Sequence, residues 1–223
     1  MTVRAAVVDR GAARAELSAA LRASGLSPAR VFPGQDQMPT PTRIHVMSES
    51  DVRRAVARMA REVVERNGGT EGLVLMGIHR RGTDIAEMIR GEIEQSENVK
   101  IEHGSIDISL YRDDLEAIGP RPIVGGSELP PGGVDDRCVV IVDDVAFTGR
   151  TTRAALNELG DWGRPRRILF CALVDRGGRE LPIHPDITGR EVQVLEGQRV
   201  EVLVPELDGR LGVELIQSQS ERG

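Results

Sequence analysis

The residues best equipped for chemistry lie in one stretch, Val139 to Thr151, which reads VVIVDDVAFTGRT. Val139 to Val142 form an apolar run that fits a buried strand, and Asp143 and Asp144 end it. The loop that follows (Val145, Ala146, Phe147, Thr148, Gly149, Arg150) leads into a helix from about Thr151 to Leu159. Such a loop can aim successive backbone N–H groups at a phosphate, and the helix start adds its partial positive charge. Thr148 and Thr151 supply hydroxyl donors, and Gly149 lets a ligand approach the backbone closely. Asp143 and Asp144 then sit one sugar away from a phosphate held by the loop. Carboxylates at that distance accept hydrogen bonds from vicinal ribose hydroxyls and place negative charge near a carbon that becomes cationic. The order is neither GxxxxGK[ST] nor GxGxxG. Taken alone, an acid pair after a strand is better explained as charge at a helix start. The whole string, strand then acids then TGRT, is what points to a phosphorylated sugar.

The elements that must hold this stretch are legible from periodicity. Ser48 and Asp51 have the spacing of a capping box, with Val52, Val56, Met59 and Val63 at helical spacing behind it. Gly68 and Gly69 end that helix. Leu73 to Ile78 is a continuous apolar run suited to a strand buried on both faces. A second helix fits Asp84 to Ile93. Ile106 to Leu110 alternates like a half-buried strand, and Ile168 to Val174 is a third apolar strand. Val200 to Val204 and Leu211 to Ile216 are expected to finish the sheet, antiparallel or at its edge. Strands alternating with helices predict an α/β fold with a parallel, doubly wound sheet. In such sheets ligands gather beyond the carboxyl ends of the strands. Tyr111 to Asp136 is rich in Gly and Pro, and a loop of that length has the character of a functional lid.

Bulk composition narrows the class. The 223 residues suit one α/β domain with an extension, and 39% hydrophobic against 29% charged residues excludes disorder throughout. A net charge of −6 argues against a surface coated for nucleic acid, while leaving room for a local basic face. Lys100 is the sole lysine, so the cations are almost all arginines. Cys138 and Cys171 fall inside apolar runs and read as buried thiols, and no spacing of Cys and His suggests a structural metal. No apolar run is long enough for a membrane span and no signal-peptide core is visible, so a cytoplasmic location is expected. Residues 1–42 read as an extension with one amphipathic helix around Leu17 and Leu21 and a breaker-rich linker from Pro28 to Pro41. A poorly ordered extension, a small docking helix and a start assigned too far upstream all remain open.

VVIVDDVAFTGRT resembles the signature with which type I phosphoribosyltransferases hold 5-phosphoribosyl-1-pyrophosphate (PRPP). GIHRRG (Gly77 to Gly82) resembles their pyrophosphate loop, DISLYRDD (Asp107 to Asp114) the start of their mobile loop, and LVDRGGRELPI (Leu173 to Ile183) the base side. Together, from about Arg43 to Ile216, they resemble the pyrimidine operon attenuation regulators that also act as uracil phosphoribosyltransferases. The resemblance implies a phosphoribosyltransferase domain over 43–223 with a small C-terminal hood over the base. It also implies that Asp143 and Asp144 hold the ribose hydroxyls and that Ala146 to Thr151 cradle the 5′-phosphate. Arg80 and Arg81 would approach the pyrophosphate, and Arg112 would close over it. Val174 to Arg179 and Val200 would lie on the base side, where Arg176 is either a base contact or a structural ion-pair partner. A Mg²⁺ would travel with PRPP, bound mainly by pyrophosphate and sugar oxygens. The implied reaction joins uracil to PRPP and gives UMP and pyrophosphate; a dimer or tetramer is expected.

The same resemblance implies binding of a leader mRNA when UMP or UTP is present. Arg54, Arg58, Arg61 and Arg66 on the first helix, with Arg179 and Arg190 later, are the candidate contacts. The alternative is a solvated helix face paired with Glu62 and Glu65. Several positions depart from the regulators: Gly178 stands in place of a His, His184 in place of an Arg, Ala57 in place of a hydroxyl and Phe147 in place of a Tyr. A phosphoribosyltransferase without RNA binding, or one using another base, therefore stays open.

Overall fold

In the computed structural model, residues 42–108 and 126–217 are described. Strand β1 (Thr42–Met47) enters helix α1 (Glu49–Asn67), followed by β2 (Leu73–Ile78), α2 (Arg81–Glu97) and β3 (Glu102–Ile106). The chain then runs through β4 (Cys138–Ala146), α3 (Arg150–Trp162), β5 (Arg167–Asp175) and β6 (Ile187–Glu191). It closes with β7 (Gln198–Leu203), the single turn α4 (Pro205–Asp208) and β8 (Gly212–Gln217). Five strands form one sheet in the order β3-β2-β4-β5-β6, every neighbouring pair parallel. This is the expected α/β architecture.

Alternation along the central strands explains the layering. Leu73, Leu75, Val140, Val142, Leu169, Cys171 and Leu173 face the buried sides of α1 and α2, through Val56, Met59, Ile85 and Ile89 among others. Val74, Met76, Ile78, Val139, Ile141, Phe170 and Ala172 face the opposite way, where Ala154, Ala155 and Leu159 of α3 cover them. With both faces covered, the central strands stay apolar until their carboxyl ends. Each fully buried Leu, Ile or Met contributes about 1.5–3 kcal/mol. Both cysteines are buried, and burial pushes the Cys171 thiol well above its usual range. No helix among the described residues is long and apolar enough to cross a membrane.

The capping box at α1 forms as the sequence predicts. Asp51 N–H donates to the Ser48 hydroxyl at 3.2 Å, and Ser48 N–H donates to the Asp51 carboxylate at 2.9 Å. Gly68, at φ 78°, ends the helix in the left-handed region. The bonds from Ser48 hold the Asp51 carboxyl down, at about 2 against an ordinary 3.8. Because the folded value is depressed, the stabilisation is present above the ordinary value and is lost as pH falls through the folded one. The thermal midpoint of the protein should therefore fall as pH drops from about 4 to about 2, and Asp51→Asn should fall less over that window. Equal falls in melting curves would remove this cap from the acid response.

Four expectations need correction. Residues 200–204 and 211–216 do not finish the main sheet. They form β7 and β8, which pair antiparallel with each other and, through β8, with β1 in a separate three-stranded sheet, order β1-β8-β7. The predicted strand at Ile106 to Leu110 is displaced: β3 runs Glu102–Ile106, and 109–110 lie outside the described residues. Ile106 and Ile108 are buried, but at the carboxyl end of a strand whose own residues, EHGSI, carry little apolar signal. The acids do not end β4 at Val142, because its pairing with β5 continues to Ala146 opposite Asp175. Helix α2 is longer than Asp84 to Ile93, starting at Arg81 directly after the strand–helix loop.

Candidate functional site

The register of the parallel sheet brings the chemistry together. Ile78 ends β2 opposite Ile106 of β3, while β4 continues past Val142, the partner of Gly77, to Ala146. Asp143 and Asp144 therefore stand on the projecting end of the central strand, beyond the end of β2. Asp143 is 7% exposed, and its Oδ1 accepts from Asp144 N–H at 2.9 Å. Asp144 is half-buried, and its own carboxylate makes no hydrogen bond among the described residues.

Beyond Ala146 the loop is short: Phe147, Thr148 and Gly149 connect β4 to α3. Gly149 lies at φ 90°, and a Cβ there would meet the side chains of Leu181 and Ile183 at 3.2 and 3.4 Å. A left-handed residue in that space is best served by glycine. It turns the chain so that the first N–H groups of α3, which no helix carbonyl can take up, surround the loop. The Thr148 carbonyl accepts from Glu180 and Leu181 N–H, both at 3.0 Å, and its hydroxyl accepts from Arg150 N–H at 3.3 Å. Thr151 is in the first turn of α3. The Arg150 side chain pairs with Glu180 at 2.7 Å.

A second loop comes from β2. Gly77 and Gly82 bracket it, and neither can carry a side chain: a Cβ on Gly77 would lie 2.5 Å from Thr83 Cα, and one on Gly82 would lie 2.7 Å from the Val142 carbonyl oxygen and 3.2 Å from Asp143 Cα. The start of α2 is thus pressed against the backbone that carries the acid pair. The His79–Arg80 peptide is cis. Arg80 heads α2 with an exposed side chain, and Arg81 forms a forked pair with Asp208 at 3.1–3.4 Å. His79, which sequence reasoning passes over inside GIHRRG, shares a 3.1 Å hydrogen bond between Nε2 and the buried Ser105 hydroxyl. Asp208 carries no sequence signal, being 127 residues from its partner.

The third loop follows β5. The Arg176 guanidinium stacks over the Phe147 ring, 3.8 Å from its centroid, and makes no ion pair among the described residues. Its Nε is buried without a hydrogen-bond partner among them, and burial pushes its pKa down. Of the two readings of Arg176, the structural ion pair is not the one realised; a buried donor left open costs about 1–3 kcal/mol. Gly178, at φ 75°, leaves room for the Phe147 ring, which a Cβ would meet at 2.6 Å. Val200 lies on β7, partly buried against the core on the α1–α2 side. Arg112 lies outside the described residues.

The arginines expected on a nucleic-acid face have unequal freedom. Arg179 is a correction. Its side chain is only 11% exposed, and it donates to the carbonyls of Phe147 and Ile183 at 2.6 and 2.8 Å and to Asp175 at 2.6 Å. It ties the base-side loop to the phosphate loop rather than facing solvent. Arg179→Ala should lower unfolding stability by roughly 2 kcal/mol, as charged hydrogen bonds of this kind are worth about 1.5–3. An unchanged denaturant midpoint would show the loop needs no such tie. Arg58 donates to the carbonyls of Thr188 and Gly189, Arg190 to that of Val46, Arg54 pairs with Asp51, and Arg66 with Glu62. Arg61 is exposed and makes no hydrogen bond or ion pair among the described residues. Arg58, Arg61, Glu62, Glu65 and Arg66 line an open groove of about 590 Å³ with charges of both signs. Its Arg66 end lies at the amino ends of the strands, where the Arg66 carbonyl accepts from Arg167 at 2.7 Å.

Comparisons with known proteins identify the family and the fold. Residues 48–205 match the phosphoribosyl transferase domain family. The chain is 50% identical over 163 residues to the bifunctional protein PyrR of Herpetosiphon aurantiacus, covering 73% of this chain and 90% of that one. It is 47% identical over 177 residues to the bifunctional protein PyrR of Thermus aquaticus, covering 79% and 97%. Among solved structures, a hypoxanthine-guanine phosphoribosyltransferase from Bacillus anthracis superposes with a TM-score of 0.58 at 17% identity, covering 77% of this chain and 96% of that one. At that identity the likeness concerns the fold.

Proposed function

The chain belongs to the phosphoribosyl transferase domain family and, within it, to the PyrR proteins, and on that premise we propose that it transfers the phosphoribosyl group of PRPP to uracil, giving UMP and pyrophosphate, and that it binds pyrimidine-operon leader mRNA in response to UMP or UTP. The observation that carries the enzymatic reading is the turn from β4 into α3: two adjacent carboxylates on a projecting strand end, then Gly149 and a helix start whose first amides no helix carbonyl takes up.

In this reading Asp143 and Asp144 accept hydrogen bonds from the two ribose hydroxyls, and the backbone from Ala146 to Thr151 receives the 5′-phosphate. Arg80 and Arg81 face the pyrophosphate. Uracil N1 attacks the anomeric carbon as the bond to pyrophosphate breaks. No protein nucleophile is required; the chain contributes positioning and charge placed ahead of the reaction. The Arg176 guanidinium, stacked on Phe147, lies on the base side of the site. Phosphoribosyltransferases generally use Mg²⁺ with PRPP, and the carboxylate oxygens of Asp143 and Asp144 are hard donors that fit such an ion. That ion would neutralise charge on the leaving pyrophosphate.

On the regulatory side, Arg61 is the helix arginine left with its guanidinium open among the described residues, whereas Arg179 is committed within the base-side loop. This favours an RNA face that uses α1 more than the loop after β5. Two assays on one preparation test the proposal: UMP formation from uracil and PRPP with Mg²⁺, and gel retention of a pyrimidine-operon leader RNA with and without UMP at stated salt. Both are expected to be positive. Activity without retention would restrict the protein to catalysis, and absence of activity with uracil would overturn the enzymatic half.

A further inference from the structure

Arg81 is the first residue of α2, at the end of the loop proposed to face pyrophosphate. Its guanidinium is held on one edge: Nε and Nη2 both donate to the Asp208 carboxylate, at 3.1–3.4 Å. Nη1 makes no hydrogen bond among the described residues. Asp208 is itself fixed, since its Oδ2 accepts Val204 N–H at 2.9 Å across the single turn α4. These contacts push the Asp208 carboxyl below its ordinary value, against the cost of burial, so it stays charged. The two side chains are 31% and 19% exposed, which shields the pair from full solvent screening. Arg81 also lies within electrostatic reach of Asp144. A residue from the segment linking β7 to β8 therefore sets the orientation of an arginine at the mouth of the parallel sheet. A fork gripped on one edge keeps its other edge available for a second anion.

We propose that Asp208 is a positioning residue for phosphoribosyl transfer: it holds Arg81 so that the free edge of the guanidinium receives the pyrophosphate group of PRPP. The inference rests on the function proposed above and adds to it the residue that pre-orients the arginine. A long side chain loses rotamer freedom when a ligand immobilises it, and here the fold has already ordered Arg81 through Asp208.

The test is Asp208→Asn, which keeps an acceptor oxygen for Val204 N–H while removing the charge that grips Arg81. The KM for PRPP should rise about fivefold to tenfold, with kcat little changed and UMP affinity unaltered, because UMP carries no pyrophosphate. In an Arg81→Gln background the same change should add almost nothing, since Asp208 acts through Arg81. Equal loss of PRPP and UMP binding would reveal a merely structural residue and overturn the inference, as would a full effect in the Arg81→Gln background. If the unmodified protein binds both ligands and Asp208→Asn alters neither, this inference alone falls. If the unmodified protein binds neither, the functional reading falls with it.

Discussion

Asp144→Asn should lower kcat for UMP formation by about a hundredfold to a thousandfold, the range seen when one preorganised electrostatic partner of a transition state is removed, while leaving the fold intact. The carboxylate of Asp144 makes no hydrogen bond among the described residues, and the bond its backbone N–H gives to Asp143 survives the substitution. Stability should therefore change by less than about 0.5 kcal/mol, as for other sites away from structural contacts. What the variant loses is charge. As pyrophosphate departs, the sugar carbon becomes electron-poor, and a fixed negative group nearby is worth far more in a partly buried site than in water. An amide can still accept a hydrogen bond from a ribose hydroxyl, so the KM for PRPP should move less than kcat. Full turnover in the variant would mean that Asp144 does not face the reacting carbon.

The second large effect is expected from Gly82→Ala. The added carbon would lie 2.7 Å from the Val142 carbonyl oxygen and 3.2 Å from Asp143 Cα. Neither is the far end of a flexible side chain, so α2 must move away from β4. Overpacking of this kind costs about 1–3 kcal/mol. The functional loss should be greater than the stability loss. The same displacement would separate the loop carrying Arg80 and Arg81 from the strand carrying the acids, and a shift of about 1 Å between positioning groups can cost about a hundredfold in rate. Thermal melting and initial rates, both measured below the variant's midpoint, separate the two effects. A stable variant with normal turnover would show that the two loops need not be in register.

The site is legible in the sequence where its chemistry is local. VVIVDDVAFTGRT is contiguous, and strand, acids, glycine turn and helix start follow in the order the structure has them. The Ser48–Asp51 cap and the Gly68 stop are legible for the same reason. What stays hidden depends on pairing across long separations. Two acids look like a strand boundary at Val142, yet pairing with β5 carries β4 through them to Ala146. Nothing in an alternating strand names its partner, so β7 and β8 look like members of the main sheet, and β1 hides at the end of a breaker-rich stretch. Charge alone makes Arg179 look like a surface cation, whereas its side chain closes the loop that carries it. Asp208 cannot be found without the fold that brings it to Arg81.

The β4–α3 turn is proposed to seat the phosphorylated sugar of PRPP and of UMP alike. Calorimetric titration of the full chain with UMP, and then with PRPP in the presence of Mg²⁺, addresses it directly. One site per chain is expected for each ligand, with either one excluding the other. No detectable association with either ligand, or simultaneous binding of both, would contradict it.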